Sequence, residues 1–216
     1  LKALLETKNQ LNYLESINMI LGGEKLEWSL VSQLKNPNLF NHYGPTETTI
    51  GATVYKVDQG LSSLSVPIGR PLANVEVFIV NESLQLTAIG CVGEIIIGGD
   101  GVSSGYLNHF ELTKQHFIPN PFDQNKITRV YRTGDEGRYL PDGTIEFIGR
   151  SDTQVKIRGY RVECDEVQVQ LKQHGDVRDA ILDYDDEKLT AYVIAGEFVP
   201  TEHELKAVSY THLRAH

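Results

Sequence analysis

The 216-residue chain carries 20 Lys and Arg against 29 Asp and Glu, a formal charge of −9, with 40% apolar and 23% charged residues, the ordinary balance of a globular protein. The acidic surplus argues against a nucleic-acid surface, which needs a Lys and Arg excess to release counterions from the phosphate backbone. The clearest apolar run, Val75–Val80, is far too short for a bilayer, so no membrane partner is expected. The N-terminal LKALLETKNQ lacks the positive-then-apolar order of a secretory signal. Two cysteines, Cys91 and Cys164, have no metal-like spacing. A reduced, cytoplasmic setting is the default expectation, with a Cys91–Cys164 disulfide as the alternative.

Along the chain, Leu1, Leu4, Leu5, Leu11 and Leu14 recur at roughly helical spacing before the β-friendly INMIL run, so a helix leads into a buried strand by about Leu21. Gly22-Gly23 ends that strand, and EKLEWSLVSQL restores helical periodicity until Asn36-Pro37. Strand, glycine, helix suits an α/β layer with a parallel strand. After residue 65 short alternating runs take over: VEVFIVN, GEIIIGG, GRYL, TIEFIG, QVKIRG and YRVE. Leu140-Pro141-Asp142-Gly143-Thr144 is a hairpin signal, because proline fixes φ early and glycine supplies φ > 0 late. From Asp165 a helix (EVQVQLKQH) and two strands (VRDAILDY, LTAYVIAG) make a small α+β unit, with the break near Gly149-Arg150-Ser151-Asp152. The fold class is therefore α/β plus antiparallel β, followed by a partial α+β unit. The last stretch, VSYTHLRAH, loses the periodicity of the helix opened by Thr201 and reads as a tail foreign to the fold.

Four loops carry candidate chemistry. In Asn41-His42-Tyr43-Gly44-Pro45-Thr46-Glu47-Thr48-Thr49 a stiff Gly-Pro bend holds a ring, hydroxyls and one carboxylate within a few residues, a set that meets the needs of a nucleoside triphosphate and its Mg²⁺. The plainer reading is a capping box, Thr46 to Thr49, opening a helix. In Tyr131-Arg132-Thr133-Gly134-Asp135 the aspartate, placed after a glycine turn at a strand end, can accept two hydrogen bonds from a ribose diol or simply close the turn. The stretch Gly149–Arg161 holds four cations and reads either as a solvated basic strand or as a hinge beside polyphosphate. The glycines of Gly93–Leu107 flank a buried strand, and that segment is assigned to packing rather than to catalysis.

In order and spacing, NHYGPTE, GEIIIGGDGVSSGYL, YRTGD and GRSDTQVKIRGYRVE resemble the adenylation domains of nonribosomal peptide synthetases, within the adenylate-forming enzymes that include acyl-CoA ligases and luciferases. The likeness covers about residues 1 to 207, and QVKIRGYR is similar to the amino-acid-activating branch. The resemblance implies that residues 1–150 form the C-terminal part of a large subdomain and 151–207 part of a small C-terminal one, with 208–216 as the tail. It implies that Tyr43 stacks on adenine with Asn41 near its amino edge, that Thr46 touches the α-phosphate, and that Glu47 holds Mg²⁺. These last two form the catalytic pair. Asp135 takes the ribose hydroxyls, helped by Arg150, while Phe147 stands where the family often has a tyrosine near the nucleotide. Asp152 matches the hinge about which the small subdomain rotates between adenylation and thiolation.

The implied reaction joins an amino acid to ATP, giving aminoacyl-AMP and pyrophosphate, and passes the aminoacyl group to the phosphopantetheine thiol of a peptidyl carrier domain. A condensation domain would accompany it in the parent. The side-chain pocket would be lined by Ile20, Gly22, His42, Ile50 and Gly51. Two glycines leave room, and a histidine suits a side chain that accepts hydrogen bonds, a pattern similar to the family's for aspartate, with asparagine next. In the plainer alternative His42 packs beside Tyr43 and reads nothing. The family's glycine-rich phosphate loop and its C-terminal catalytic lysine find no match here, so the chain alone is expected to be inactive. Two rival readings stay open: an acyl-CoA or aryl-acid ligase of the same fold, and a non-enzymatic β-rich interaction module.

Overall fold

The computed structural model describes residues 17–34, 38–58, 65–124, 128–151, 154–157, 160–185 and 188–205. The expected N-terminal helix, the hinge residue Asp152 and the tail 208–216 lie outside them. The chain divides into two compact units, Leu1–Ser151 and Asp152–His216.

In the first unit, β1 (Met19–Gly22) runs parallel to β2 (Leu39–Tyr43), with α1 (Trp28–Leu34) between them in sequence. This is the strand–glycine–helix order expected of an α/β layer, since parallel neighbours need a crossover connection. The antiparallel β3 (Thr53–Lys56) and β4 (Arg70–Pro71) complete a sheet of order β1-β2-β3-β4. One face buries Leu39 and Tyr55 against Val31 and Leu34 of α1, with Met19 and Leu21 packed alongside. Because side chains alternate across a strand, Ile20 and Gly22 point the other way, and Ile20 is 66% exposed.

The second sheet is antiparallel throughout: β5 (Val75–Val80), β6 (Gly93–Gly99), β7 (Phe117–Pro119) and β8 (Arg129–Tyr139) in the order β5-β6-β8-β7, with β9 (Ile145–Arg150) paired to β8. The short α2 (Phe110–His116) leads into β7. Strand β6 is buried on both faces. Ile95 and Ile97 join Ala52 and Ile68 of the first sheet's connections, while Ile96 packs with Val80 and Val130 on the far side. A continuous apolar run is what such a sandwiched strand requires. The Leu140–Thr144 hairpin forms as expected, with the Leu140 and Gly143 amides donating to the Thr144 and Leu140 carbonyls and Gly143 at φ 80.

Asp135 is a correction to the sequence reading. It lies inside the 11-residue β8 and not at a strand end. Gly134, at φ 70, is absorbed as an irregularity where the register with β6 shifts, so the strand bends and continues. Glu94 accepts the Gly134 amide at 3.3 Å and the Arg132 guanidinium at 2.5 Å, satisfying the disturbed ladder.

In the second unit β10 (Gln154–Ile157) and β11 (Tyr160–Glu163) form a hairpin, followed by α3 (Cys164–Gln173) and the antiparallel pair β12 (Val177–Asp185) and β13 (Lys188–Ala195). Val167 and Leu171 on one face of α3 meet Val162, Val177 and Ala180. Thr201 and Glu204 exchange hydrogen bonds as a capping box. Both cysteines are free thiols, Cys91 exposed and Cys164 buried, so the alternative disulfide is not formed. No helix among the described residues is long and apolar enough to cross a membrane.

The wholly buried Glu146 carboxylate accepts Arg138 Nε at 2.8 Å, and the Ser65 amide and hydroxyl at 3.1 and 3.2 Å. Removing only the cation strands a buried charge. Arg138→Leu is therefore expected to lower the unfolding free energy of the chain by about 3 kcal/mol in urea titrations, and adding Glu146→Leu to recover part of that loss. A single variant no less stable than the parent would show that the pair carries no such role.

Candidate active site

The site is built where β2 leaves the first sheet. Tyr43 ends the strand and Gly44-Pro45 turns the chain, with Thr46–Thr48 forming a single 3-10 turn. The capping-box alternative is not realised, for Pro45 is the N-cap and no side chain caps the turn. Proline removes the donor, and the next residues reverse too soon for an α-helix. Thr49 (φ 64) and Ile50 (φ 70) are both left-handed, a conformation that costs non-glycine residues of order 1–3 kcal/mol each. The loop holds them by hydrogen bonds, among them a Gly51 N–H to Thr49 O bond of 2.8 Å. Ala52 N–H donates to Tyr43 O at 2.8 Å, Thr49 N–H to Thr46 O at 3.1 Å and Ile50 N–H to Pro45 O at 3.3 Å, while Thr49 Oγ1 donates to Gly101 O at 2.8 Å. Gly44 admits no side chain here, because a Cβ would stand 2.5 Å from Ile50 O.

Three of the nucleotide candidates meet at one carboxylate. Tyr43 Oη donates to Asp135 Oδ2 at 2.5 Å, and Arg150 donates to Asp135 Oδ1 at 2.6 Å. Asp135 is 7% exposed, and its amide donates to Thr133 Oγ1 at 2.9 Å. Burial, and then the facing Asp135 carboxylate, push the Tyr43 hydroxyl well above the ordinary phenol value, so it stays a donor. Phe147 joins the group through its ring, centred 6.2 Å from that of Tyr43. Asn41 is buried on the same strand, and its amide donates to Pro67 O at 2.8 Å and Val66 O at 3.4 Å, so that group braces the chain at Val66-Pro67.

Thr46 is exposed on the turn, and the neighbouring Glu47 is 8% exposed. Glu47 Oε1 accepts the Tyr106 hydroxyl at 2.8 Å, and its carbonyl accepts the Ser103 amide at 2.9 Å. Burial, the Tyr131 hydroxyl and Glu47 together raise the Tyr106 hydroxyl far above the ordinary phenol value. The Gly93–Leu107 segment, expected to serve packing and loop geometry, also reaches Glu47 through Tyr106, a residue that sequence reasoning missed. The available signal was a tyrosine closing a glycine-rich loop, a ring whose hydroxyl needs a partner once buried. Among the described residues no three or more His, Cys, Asp or Glu side chains converge on a metal position. A single buried carboxylate still fits Mg²⁺, which commonly takes one or two protein carboxylates and completes its shell with substrate phosphates and water.

The pocket candidates divide. Gly22 and His42 are register partners across β1 and β2, and a Cβ on Gly22 would lie 2.5 Å from His42 O. A Cβ on Gly51 would lie 2.3 Å from His42 Nε2, so the imidazole rests against that glycine. Ile20 shares the open sheet face with Gly22 and His42, while the Ile50 side chain is 71% exposed on the loop. His42 does not pack beside Tyr43: adjacent strand residues face opposite ways, and Tyr43 turns inward to Asp135.

The two glycines make a contrast that stability measurements can read. Gly22→Ala meets backbone and is expected to cost about 2 kcal/mol by overpacking. Gly51→Ala meets only the end of a rotatable ring, so it is expected to cost about 0.5 kcal/mol or less while displacing the His42 resonances in NMR spectra. Equal losses for the two would contradict this geometry.

Comparison with known proteins gives the chain's relatives. A family model described as AMP-binding enzyme matches residues 1–107. Bacitracin synthase 3 of Bacillus licheniformis is 42% identical over 199 residues, 87% of this chain and 3% of the relative. Tyrocidine synthase 3 of Brevibacillus parabrevis is 46% identical over 169 residues, 76% of this chain and 3% of the relative. The chain thus spans a small part of the curated relatives it matches. Among solved structures, an artificially fused adenylation–PCP di-domain, NpsA-ThdA, an NRPS from Klebsiella oxytoca, superposes with a TM-score of 0.78 at 29% identity, covering 98% of this chain and 40% of that one. IdnL1 gives 0.86 at 26%, covering 99% and 45%. The chain belongs to the adenylate-forming, AMP-binding enzymes, as a segment of the adenylation-domain type found in nonribosomal peptide synthetases.

Proposed function

We propose that this segment helps activate an amino acid with ATP, giving aminoacyl-AMP and pyrophosphate, and that the aminoacyl group passes to the phosphopantetheine thiol of a peptidyl carrier domain. The whole protein carrying it would work in the cytoplasm beside a condensation domain. The observation that carries the nucleotide reading is the Asp135 carboxylate held between Tyr43 and Arg150. A carboxylate fixed in this way is preorganised for a ribose diol, and preorganised polar groups need no rearrangement when the ligand arrives.

In this reading the Tyr43 hydroxyl is committed to Asp135, so Tyr43 offers adenine its ring face, with Phe147 beside it and Asn41 bracing the strand beneath. Thr46 meets the α-phosphate from the exposed side of the turn. Glu47 is the Mg²⁺ ligand, and the ion when bound offsets phosphate charge as the amino-acid carboxylate attacks. Residues 1–150 act as the C-terminal part of the large subdomain and 151–207 as part of the small one, turning about Asp152.

Aspartate is the proposed substrate. A Cβ on Gly22 would meet the His42 carbonyl and one on Gly51 the end of its ring, so two positions without side chains adjoin one hydrogen-bonding imidazole. An imidazole there suits a short side chain ending in an acceptor.

ATP–pyrophosphate exchange with the synthetase that carries this segment tests the reading, using amino, fatty and aryl acids. Aspartate is expected to lead, and His42→Leu to erode its lead over asparagine. Asp135→Ala should raise the KM for ATP by about 10- to 150-fold, the equivalent of roughly 1.5–3 kcal/mol for hydrogen bonds to a charged group. A preference for a bulky apolar amino acid would overturn the pocket assignment, and exchange with fatty or aryl acids alone would overturn the substrate class.

A further inference from the structure

We infer that Tyr106 is a positioning residue for Glu47, setting the direction of that carboxylate toward metal-bound triphosphate. The inference rests on the reading of Glu47 as the Mg²⁺ ligand. Its physical basis is the way the turn is held. Glu47 sits on a 3-10 turn of three residues followed by two left-handed ones, too short to fix a side chain by its own backbone. A distant segment clasps it at three points: Gly101 O accepts Thr49 Oγ1, Ser103 N–H donates to Glu47 O, and the Tyr106 hydroxyl donates to Glu47 Oε1. The first two hold the turn's backbone and edge. The third holds the carboxylate.

Tyr106 is itself clamped. Its amide donates to Thr113 Oγ1 at 2.9 Å, and its ring meets Phe117 edge-on at 5.4 Å and His116 at 6.1 Å. Its hydroxyl has one proton, which goes to Glu47, so in the 3.2 Å contact between hydroxyls Tyr131 must be the donor. The result is a directed chain from Tyr131 to Tyr106 to Glu47, in which each bond polarises the next. Tyr131 is fully buried, so the chain is anchored in the second sheet. Partners of this kind, which touch a metal ligand and not the metal, typically contribute 10- to 100-fold to metal affinity.

The test is calorimetric titration of MgCl₂ against the synthetase that carries this segment, with ATP present, comparing wild type with Tyr106→Phe and with Glu47→Gln as reference. Tyr106→Phe is expected to weaken apparent Mg²⁺ affinity about tenfold while leaving ATP binding in EDTA within about twofold of wild type, a split that general loosening of the fold would not give. If Glu47→Gln shifts the Mg²⁺ titration and Tyr106→Phe does not, the positioning role is overturned and the Glu47 assignment stands. If neither shifts it, both are overturned. Should Tyr106→Phe fail to fold by circular dichroism, Tyr131→Phe removes the next hydroxyl in the chain. A weakening of about threefold is then expected, given the 10–30% by which one bond strengthens the next and the loosening of the Tyr106 ring, and no change would overturn the inference.

Discussion

A carboxylate removed from water must be met by donors or its charge becomes costly, and Asp135 is met from two directions at once. Tyr43 reaches it from the end of β2 and Arg150 from the end of β9, while Asp135 itself belongs to β8. Three strands from two sheets are thereby fixed at one point, above an apolar layer in which Ala52 and Ile68 pack against Ile95, Ile97 and Ile145. Much of the site follows from that constraint. With Tyr43 drawn inward, the pleat of β2 turns His42 to the open face, where Gly22 and Gly51 lie against it. On β2 itself the nucleotide candidates Asn41 and Tyr43 and the substrate candidate His42 thus point to opposite faces.

The loop after Tyr43 shows the same economy of means. Its two left-handed residues would relax if free, and they are retained because Ala52 closes the loop at its base and Gly101 holds its far edge. Strain held by surrounding bonds gives a loop few alternative conformations. Thr46 and Glu47 are carried on that constrained loop, so their backbone positions are set by the fold itself.

The strands were legible because their signals are local. VEVFIV and the isoleucines of β6 announce themselves by composition, and Pro141-Asp142-Gly143 marks its turn by backbone preference alone. Local pattern misled at Gly134, where a glycine that suggests a strand end proved to be an irregularity within an unbroken strand. It also suggested a helix cap at Thr46, where the chain makes one tight turn. That Tyr43, Asp135 and Arg150 belong together came from the resemblance to a family. Tyr43 and Asp135 stand 92 positions apart, and Glu47 and Tyr106 stand 59 apart. No spacing rule reaches that far, and a tyrosine gives no local sign of which carboxylate its hydroxyl will find.

The Tyr43–Asp135–Arg150 group is proposed to read a nucleotide. Hydrogen–deuterium exchange on the synthetase that carries this segment, with and without Mg²⁺ and ATP, addresses it directly. Slowed exchange is expected, confined within this segment to residues 39–49, the 101–106 stretch and the Arg129–Tyr139 and Ile145–Arg150 strands, with β12 and β13 unchanged when ATP is present without an amino acid. Protection that misses both the Tyr43 loop and β8, in a protein that demonstrably binds ATP, would contradict it.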